Sequence, residues 1–201
     1  MITFMCKIIC VTNRLLCRDD FTGRIRRICE AGADAVILRE KDLPPAEYKE
    51  LAKRISEICA GTGVRFVSHT YPSYGGALHL PLPLLREFAD RDRYPVLGAS
   101  VHSAAEAQEA VSLGTTYLTA GHIFETDCKA GLPGRGLSFL REVCSSVSIP
   151  VYAIGGITPE NAGSIIEAGA AGICVMSSLM TSEDEAGYID GLRRGMNEYK
   201  T

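Results

Sequence analysis

The chain has 201 residues, 46% hydrophobic, 22% charged and 7% aromatic, with a formal net charge of -3. That balance excludes a disordered chain and leaves ample apolar material for a core. It also argues against a broad basic face for nucleic acid or anionic lipid, and no run reaches the roughly 18 apolar residues of a membrane span.

In chain order, the opening residues Met1 to Val11 read as a buried strand rather than a signal peptide. Predicted strands cover Lys7–Thr12, Ala35–Leu38, Arg65–Val67, Ala77–Leu80, Val96–Ser100, Tyr117–Thr119, Val151–Ile154 and Gly172–Met176. Each is short, continuous and rich in Val, Ile or Leu, as parallel strands buried on both faces are. Predicted helices cover Phe21–Glu30, Pro44–Cys59, Pro83–Asp90, Ala104–Ser112, Ser138–Ser145, Pro159–Glu167 and Glu183–Tyr199. The third connection, Ser68–Gly76, has no obvious long helix and reads as a short turn. Thr158-Pro159-Glu160 supplies an N-cap, a first-turn proline and an acid, while Gly32, Gly61, Gly114 and Gly169 sit where left-handed helix ends are wanted. "EAGADAVIL" (Glu30–Leu38) and "EAGAAGICV" (Glu167–Val175) are near repeats of a helix end feeding a strand. Eight such βα units with no linker predict one (β/α)8 TIM barrel, α/β in class, as a single domain over 1–201. A doubly wound open sheet is the alternative.

The eight cysteines are scattered with no C-x-x-C pair, and several lie in apolar runs where a thiol acts as a small hydrophobe. With a large core, that pattern favours a reducing, cytoplasmic setting over a disulfide framework. Chemistry in a barrel sits at the carboxyl ends of its strands. After the second strand comes Arg39-Glu40-Lys41, either a solvated loop or a grip for an anion. Gly155-Gly156 after the seventh strand and Met176-Ser177-Ser178 after the eighth occupy the places where barrels often hold phosphate. The densest stretch follows the sixth strand, from Gly121 through His122, Thr126 and Lys129 to Gly136, a lid-like loop carrying one titratable base. His79 reads as a hydrogen-bonded core residue, His69 as a rim candidate, and His102 as either ligand-facing or loop support. Metal-ligand spacing, a P-loop and a dinucleotide fingerprint are all absent from the sequence.

The segments "LREK" (Leu38–Lys41), "LGASVHS" (Leu97–Ser103), "GHIFETDCKAGLPGRG" (Gly121–Gly136), "AIGGITPEN" (Ala153–Asn161) and "GAAGICVMSSLM" (Gly169–Met180) together resemble the thiamine phosphate synthase superfamily. "GHIFETDCK" most resembles its thiazole tautomerase (TenI) branch. The resemblance implies a (β/α)8 barrel. In synthases it implies joining of a pyrimidine diphosphate to a thiazole phosphate with magnesium held by aspartates. Arg39, Lys41 and Lys129 match the basic positions of the family, and Ser100 matches the serine of its "GxS" motif. Thr126, Gly155, Gly156, Met176 and Ser177 match positions near the thiazole phosphate. Two departures stand out. Ser68-His69 replaces the Asn-Asp that ends the third strand in synthases, and His79-Leu80-Pro81-Leu82-Pro83-Leu84 replaces a segment ending in a carboxylate. His122 stands where synthases carry proline. On these grounds the expected activity is a thiazole tautomerase, an isomerase with His122 as acid/base and neither metal nor redox cofactor. The expected partner is a small thiazole phosphate, and the sequence leaves a homo-oligomer open. A working synthase and a non-catalytic thiazole phosphate binder are the rivals.

Overall fold

The computed structural model describes residues 7–72, 76–126, 129 and 131–197. Eight strands close into a parallel barrel in sequence order: β1 Lys7–Val11, β2 Ala35–Leu38, β3 Arg65–His69, β4 Ala77–Pro81, β5 Val96–Val101, β6 Tyr117–Gly121, β7 Val151–Ile154 and β8 Gly172–Val175. Closure is made by β1 on β8, with Ile9 opposite Cys174, while Ile9 also faces Ala35 of β2. That double pairing excludes the open-sheet alternative.

Strand side chains alternate between two environments, as a period of two requires. Ile9, Val11, Ile37, Val67, Tyr117 and Cys174 fill the barrel interior. Ile8, Cys10, Val36, Leu78, Leu97 and Leu118 pack outward against the helices. Both faces are therefore apolar, which is why the strands read as continuous hydrophobic runs. Inside, β5 carries Gly98 directly opposite Tyr117. A Cβ on Gly98 would fall inside the Tyr117 ring, so glycine there is what lets the aromatic ring occupy the interior.

The helices are α1 Phe21–Glu30, α2 Pro45–Thr62, α3 Leu82–Glu87, α4 Ala104–Ser112, α5 Gly136–Ser146, α6 Ala162–Glu167, α7 Ser177–Thr181 and α8 Glu185–Asn197. Asp20 caps α1 by accepting the Gly23 N–H at 2.7 Å, and Ser103 caps α4 through the Glu106 N–H at 3.1 Å. Some sequence expectations are corrected here. Helix α2 runs past Gly61 and ends at Gly63, whose φ of 73° supplies the left-handed stop. Helix α3 ends at Glu87 rather than Asp90, and a short 310 turn follows over Arg91–Arg93. Thr158 does not cap a helix starting at Pro159. Its own N–H donates to the Asn161 side chain at 2.9 Å, and α6 starts only at Ala162. Helix α7 was not foreseen. Between β3 and β4 no helix occurs among the described residues, in keeping with the expected short turn. The predicted end of the last helix at Tyr199 lies outside the described residues, as do Cys6 and Cys128. The six described cysteines are free thiols, and no helix among the described residues is long and apolar enough to cross a membrane.

Candidate active site

The strand order brings the carboxyl ends of β2 through β8 into one ring, and most sequence candidates lie on it. At the end of β2, Glu40 is only 3% exposed. It accepts the Thr12 hydroxyl at 2.5 Å and the Arg14 N–H at 3.1 Å, so it ties the ends of β1 and β2 together. Burial raises its pKa, and the Thr12 and Arg14 hydrogen bonds oppose that. The Arg39 N–H donates to the same Thr12 hydroxyl at 3.0 Å. Clamping Glu40 inward turns its neighbours Arg39 and Lys41 toward the rim. The charge of Arg39, partial burial and the charge of Lys129 depress the Lys41 pKa, in that order. The three cations therefore share one region, although Lys129 comes from the β6 loop nearly ninety residues later. Sequence reading picked the cations and missed Thr12 and Glu40. The signal was a carboxylate squeezed between two bases straight after an apolar run.

Below the rim lies a polar layer. His79 of β4 is buried, with Nδ1 against the Tyr117 hydroxyl at 3.0 Å and Nε2 against the Ser100 hydroxyl at 2.9 Å. Thr119 donates to Ser100 at 3.2 Å. His69 of β3 stacks on His79, with ring centroids 5.6 Å apart and planes inclined by 23°. Its Nδ1 meets the Thr70 hydroxyl at 2.8 Å. Burial holds both imidazoles neutral, pushing His69 down to about 2 and His79 to about 3, with the Arg39 charge adding to both shifts. His79 is the satisfied core residue the sequence suggested, and Ser100 is its partner. The predicted rim histidine, His69, is a buried side chain at a strand end.

On the opposite side, β6 and β7 end in an interlocked pair of loops. The Ile123 N–H donates to Ile154 at 3.0 Å and the Phe124 N–H to Gly155 at 3.1 Å. Gly155 and Gly156 have φ of 105° and 64°, and a Cβ on either would strike the His122–Glu125 segment. Their N–H groups find no acceptor among the described residues. Asn161 donates to the Gly156 carbonyl at 2.9 Å and locks the turn. Thr126 accepts the Lys129 N–H at 2.9 Å, which closes the loop bearing that lysine. Met176 and Ser177 follow the neighbouring strand β8, where Met176 packs on the barrel interior and Ser177 opens α7. His122 is half-buried over Gly155, with Nε2 at 3.3 Å from the Leu132 carbonyl. Among the described residues His122 makes no hydrogen bond to the cations or to the stacked imidazoles. His102 is loop support, its Nδ1 against the Gly121 carbonyl at 2.8 Å. A cleft of about 740 Å³ opens at the other end of the barrel beside Cys29, Cys59 and Arg65, away from these strand ends.

A family profile described as thiamine monophosphate synthase matches residues 8–179. The chain belongs to that family. Thiamine-phosphate synthase of Pyrococcus horikoshii is 34% identical over 202 residues, 96% of this chain and 95% of the relative. The enzyme of that name from Moorella thermoacetica is 36% identical, over 84% and 85% of the two chains. The solved structure of thiamine phosphate pyrophosphorylase from Pyrococcus furiosus superposes with a TM-score of 0.82 at 31% identity, covering 98% of each chain. The two relatives carry the synthase name and the solved structure the pyrophosphorylase name, and that overturns the expected thiazole tautomerase and the isomerase class with it.

The resemblance to the synthases implies magnesium held by aspartates. Magnesium takes oxygen ligands, carboxylates above all. The Ser68 hydroxyl at the expected position is directed at the Ala77 carbonyl, 3.1 Å away across the strand pair, and its neighbour is an imidazole. Strand β4 ends in Pro81 and runs into Leu82. The nearby carboxylate, Glu40, is occupied by Thr12 and Arg14. No group of three or more His, Cys, Asp or Glu able to hold a metal occurs among the described residues. Magnesium does not fit this donor set.

Proposed function

We propose that this chain is a thiamine-phosphate synthase like its relatives, joining a pyrimidine diphosphate to a thiazole phosphate and releasing pyrophosphate, as the resemblance to the synthases implies. The observation that carries this reading is that Arg39 and Lys41 after β2, Lys129 on the β6 loop and the Gly155-Gly156 turn after β7 all lie on one ring of strand ends, with the Arg39 and Lys129 charges bearing on Lys41. The cations and the Gly155 and Gly156 N–H groups, which have no acceptor among the described residues, suit two phosphorylated substrates meeting on one ring of strand ends. In the reaction, the carbon–oxygen bond to the diphosphate breaks as the bond to the thiazole nitrogen forms, and pyrophosphate departs with the electron pair. Charge grows on the leaving oxygens, so cations placed there in advance lower the barrier. Arg39 offers a forked set of donors to them and Lys41 and Lys129 offer point charges.

The thiazole phosphate goes to Gly155 and Gly156, whose missing side chains allow close approach, with Thr126, Met176 and Ser177 completing the rim. Ser100, fixed by His79, sits beneath the pyrimidine. A ring nitrogen attacks with its own lone pair, so the coupling asks for no base, and His122 serves as the wall over Gly155.

The test is an assay with both substrates, run with magnesium and again with a chelator, following thiamine phosphate by chromatography and pyrophosphate by an enzyme-coupled readout. Coupling above the buffer rate is expected, and Arg39→Ala should lower kcat about 10²-fold or more. Thiazole phosphate binding with no coupling under either condition would replace this reading by that of a non-catalytic binder.

A further inference from the structure

We infer that this site grips the diphosphate directly, through Arg39, Lys41 and the Nε2 of His69, with no divalent cation between them. The inference rests on the synthase reading only for the identity of the anion. Its first support is the donor set: the two strand ends that would face a metal carry a hydroxyl turned away toward Ala77, an imidazole and a proline.

The second support is the geometry of His69. The residue is 6% exposed, yet only its Nδ1 has a partner among the described residues. The Thr70 hydroxyl can donate to Nδ1, and in that tautomer the neutral ring carries its proton on Nε2. Nε2 is not one of the fully buried polar atoms that lack a partner, so it reaches the opening of the site, where solvent or a ligand supplies its acceptor. The ring cannot swing away, because it stacks on His79, which is itself held from both sides by Tyr117 and Ser100. Thr70 adds a third observation. It is the one described non-glycine residue with positive φ, 68°, and it is β-branched, a combination that is disfavoured and collects at ligand sites. Its N–H is tied to the His79 carbonyl at 3.0 Å and the Tyr71 N–H to the His69 carbonyl at 2.7 Å. That tight turn aims the Thr70 hydroxyl back at Nδ1 and so fixes which nitrogen is left to the ligand.

The cations complete the picture. Strand β2 pairs with β3 with Leu38 opposite Ser68, so Arg39 and Lys41 leave β2 beside the end of β3 that carries His69, and both charges bear on its ring. A carboxylate at position 69 would need a metal to bridge it to a phosphate, whereas an N–H donor needs none.

The probe is inorganic pyrophosphate, titrated calorimetrically into the wild-type chain with excess chelator and again with excess magnesium. Binding in chelator at least as tight as in magnesium is expected, since magnesium competes for the free anion. His69→Ala should weaken chelator binding about tenfold, and His69→Asp should abolish it and restore binding only when magnesium is added. A safeguard against misfolded variants is the nitrogen-15 spectrum of the wild-type histidines, where pyrophosphate should shift Nε2 of His69. Binding that requires magnesium, or an unmoved Nε2 resonance, overturns the inference. Pyrophosphate binding in chelator without any coupling product would sink the synthase reading and leave this one intact. Coupling that runs with magnesium alone would do the reverse.

Discussion

At the scale of single residues, the barrel's polar layer has a consequence for acid stability. His69 and His79 are neutral in the fold, held near 2 and 3 chiefly by burial, against an ordinary value of 6.5. The unfolded chain takes up a proton at each as the pH drops below about 6.5. Because the unfolded state then binds more protons, stability falls with acid over the window from about 6.5 down to about 3. Each imidazole contributes up to about 1.4 kcal/mol per pH unit there and nothing at alkaline pH. His79→Gln keeps an amide beside Ser100 but removes the proton. It should cost about 1–2 kcal/mol near pH 8, from weakened hydrogen bonds, and lose stability less steeply between pH 6 and 4. Urea melts at a series of pH values decide the matter, and an acid slope equal to that of the wild type would show that His79 plays no part. The sequence marked His79 as a core residue because it sits within an apolar strand. Glu40 showed only as a carboxylate between two bases and Thr12 not at all, because the importance of both comes from burial, and burial depends on how β1 and β2 lie side by side.

At the scale of elements, the join of β4, β5 and β6 is the sensitive one. Gly98 leaves the space that the Tyr117 ring fills, and the Tyr117 hydroxyl reaches His79 across the barrel. Gly98→Ala puts a methyl group inside that ring, so Tyr117 must shift and surrender its hydrogen bond. The expected cost is about 1–3 kcal/mol of overpacking, read as a lower urea midpoint with an unchanged slope. Stability equal to the wild type would mean that the ring relocates freely. The same elements explain what was legible. Strand positions follow from runs of Val, Ile and Leu, which the two-sided burial of a parallel sheet imposes on the sequence. Helix ends were harder. Gly61 and Gly63 look alike in sequence, and only the chain direction needed to reach β3 selects Gly63 as the left-handed stop. Thr158-Pro159-Glu160 has the residues of a helix start, but Asn161 draws the Thr158 N–H into a turn that supports Gly156 instead. At the site, a local helix signal gave way to the shape the loop requires.

At the scale of the whole molecule, closure must be achieved twice, once by the strands and once by the ring of helices around them. The β1–β8 pairing does the first. For the second, α1 meets the α7–α8 segment through a cluster centred on Arg24 and Glu185, both 6% exposed and 3.1 Å apart. Arg24 also donates to the Leu179 carbonyl at 3.2 Å and the Ser182 carbonyl at 2.6 Å, and to Asp19 at 2.8 Å. Arg27 adds a bond to Glu185 at 2.8 Å from the outside. Burial works against the Glu185 charge, but the hydrogen bond from Arg27 and the Arg27 and Arg24 charges prevail and hold its carboxyl below the usual range. Its contribution is therefore present at neutral pH and is lost as the pH falls through the lowered value. None of this was visible in the sequence, where Arg24 and Glu185 are ordinary charges 161 positions apart. Glu185→Gln keeps the shape and removes the charge, leaving a buried guanidinium supported by Asp19 and two carbonyls. Because those partners remain, the cost should be about 1–3 kcal/mol rather than the larger loss that follows complete isolation of a buried charge. The pair is shielded from solvent, so the loss should persist at high salt, where exposed pairs such as Arg194–Asp190 contribute nothing measurable. Urea unfolding of wild type and variant at low and high salt tests this, and a difference that disappears with salt would assign closure of the helical ring to packing alone.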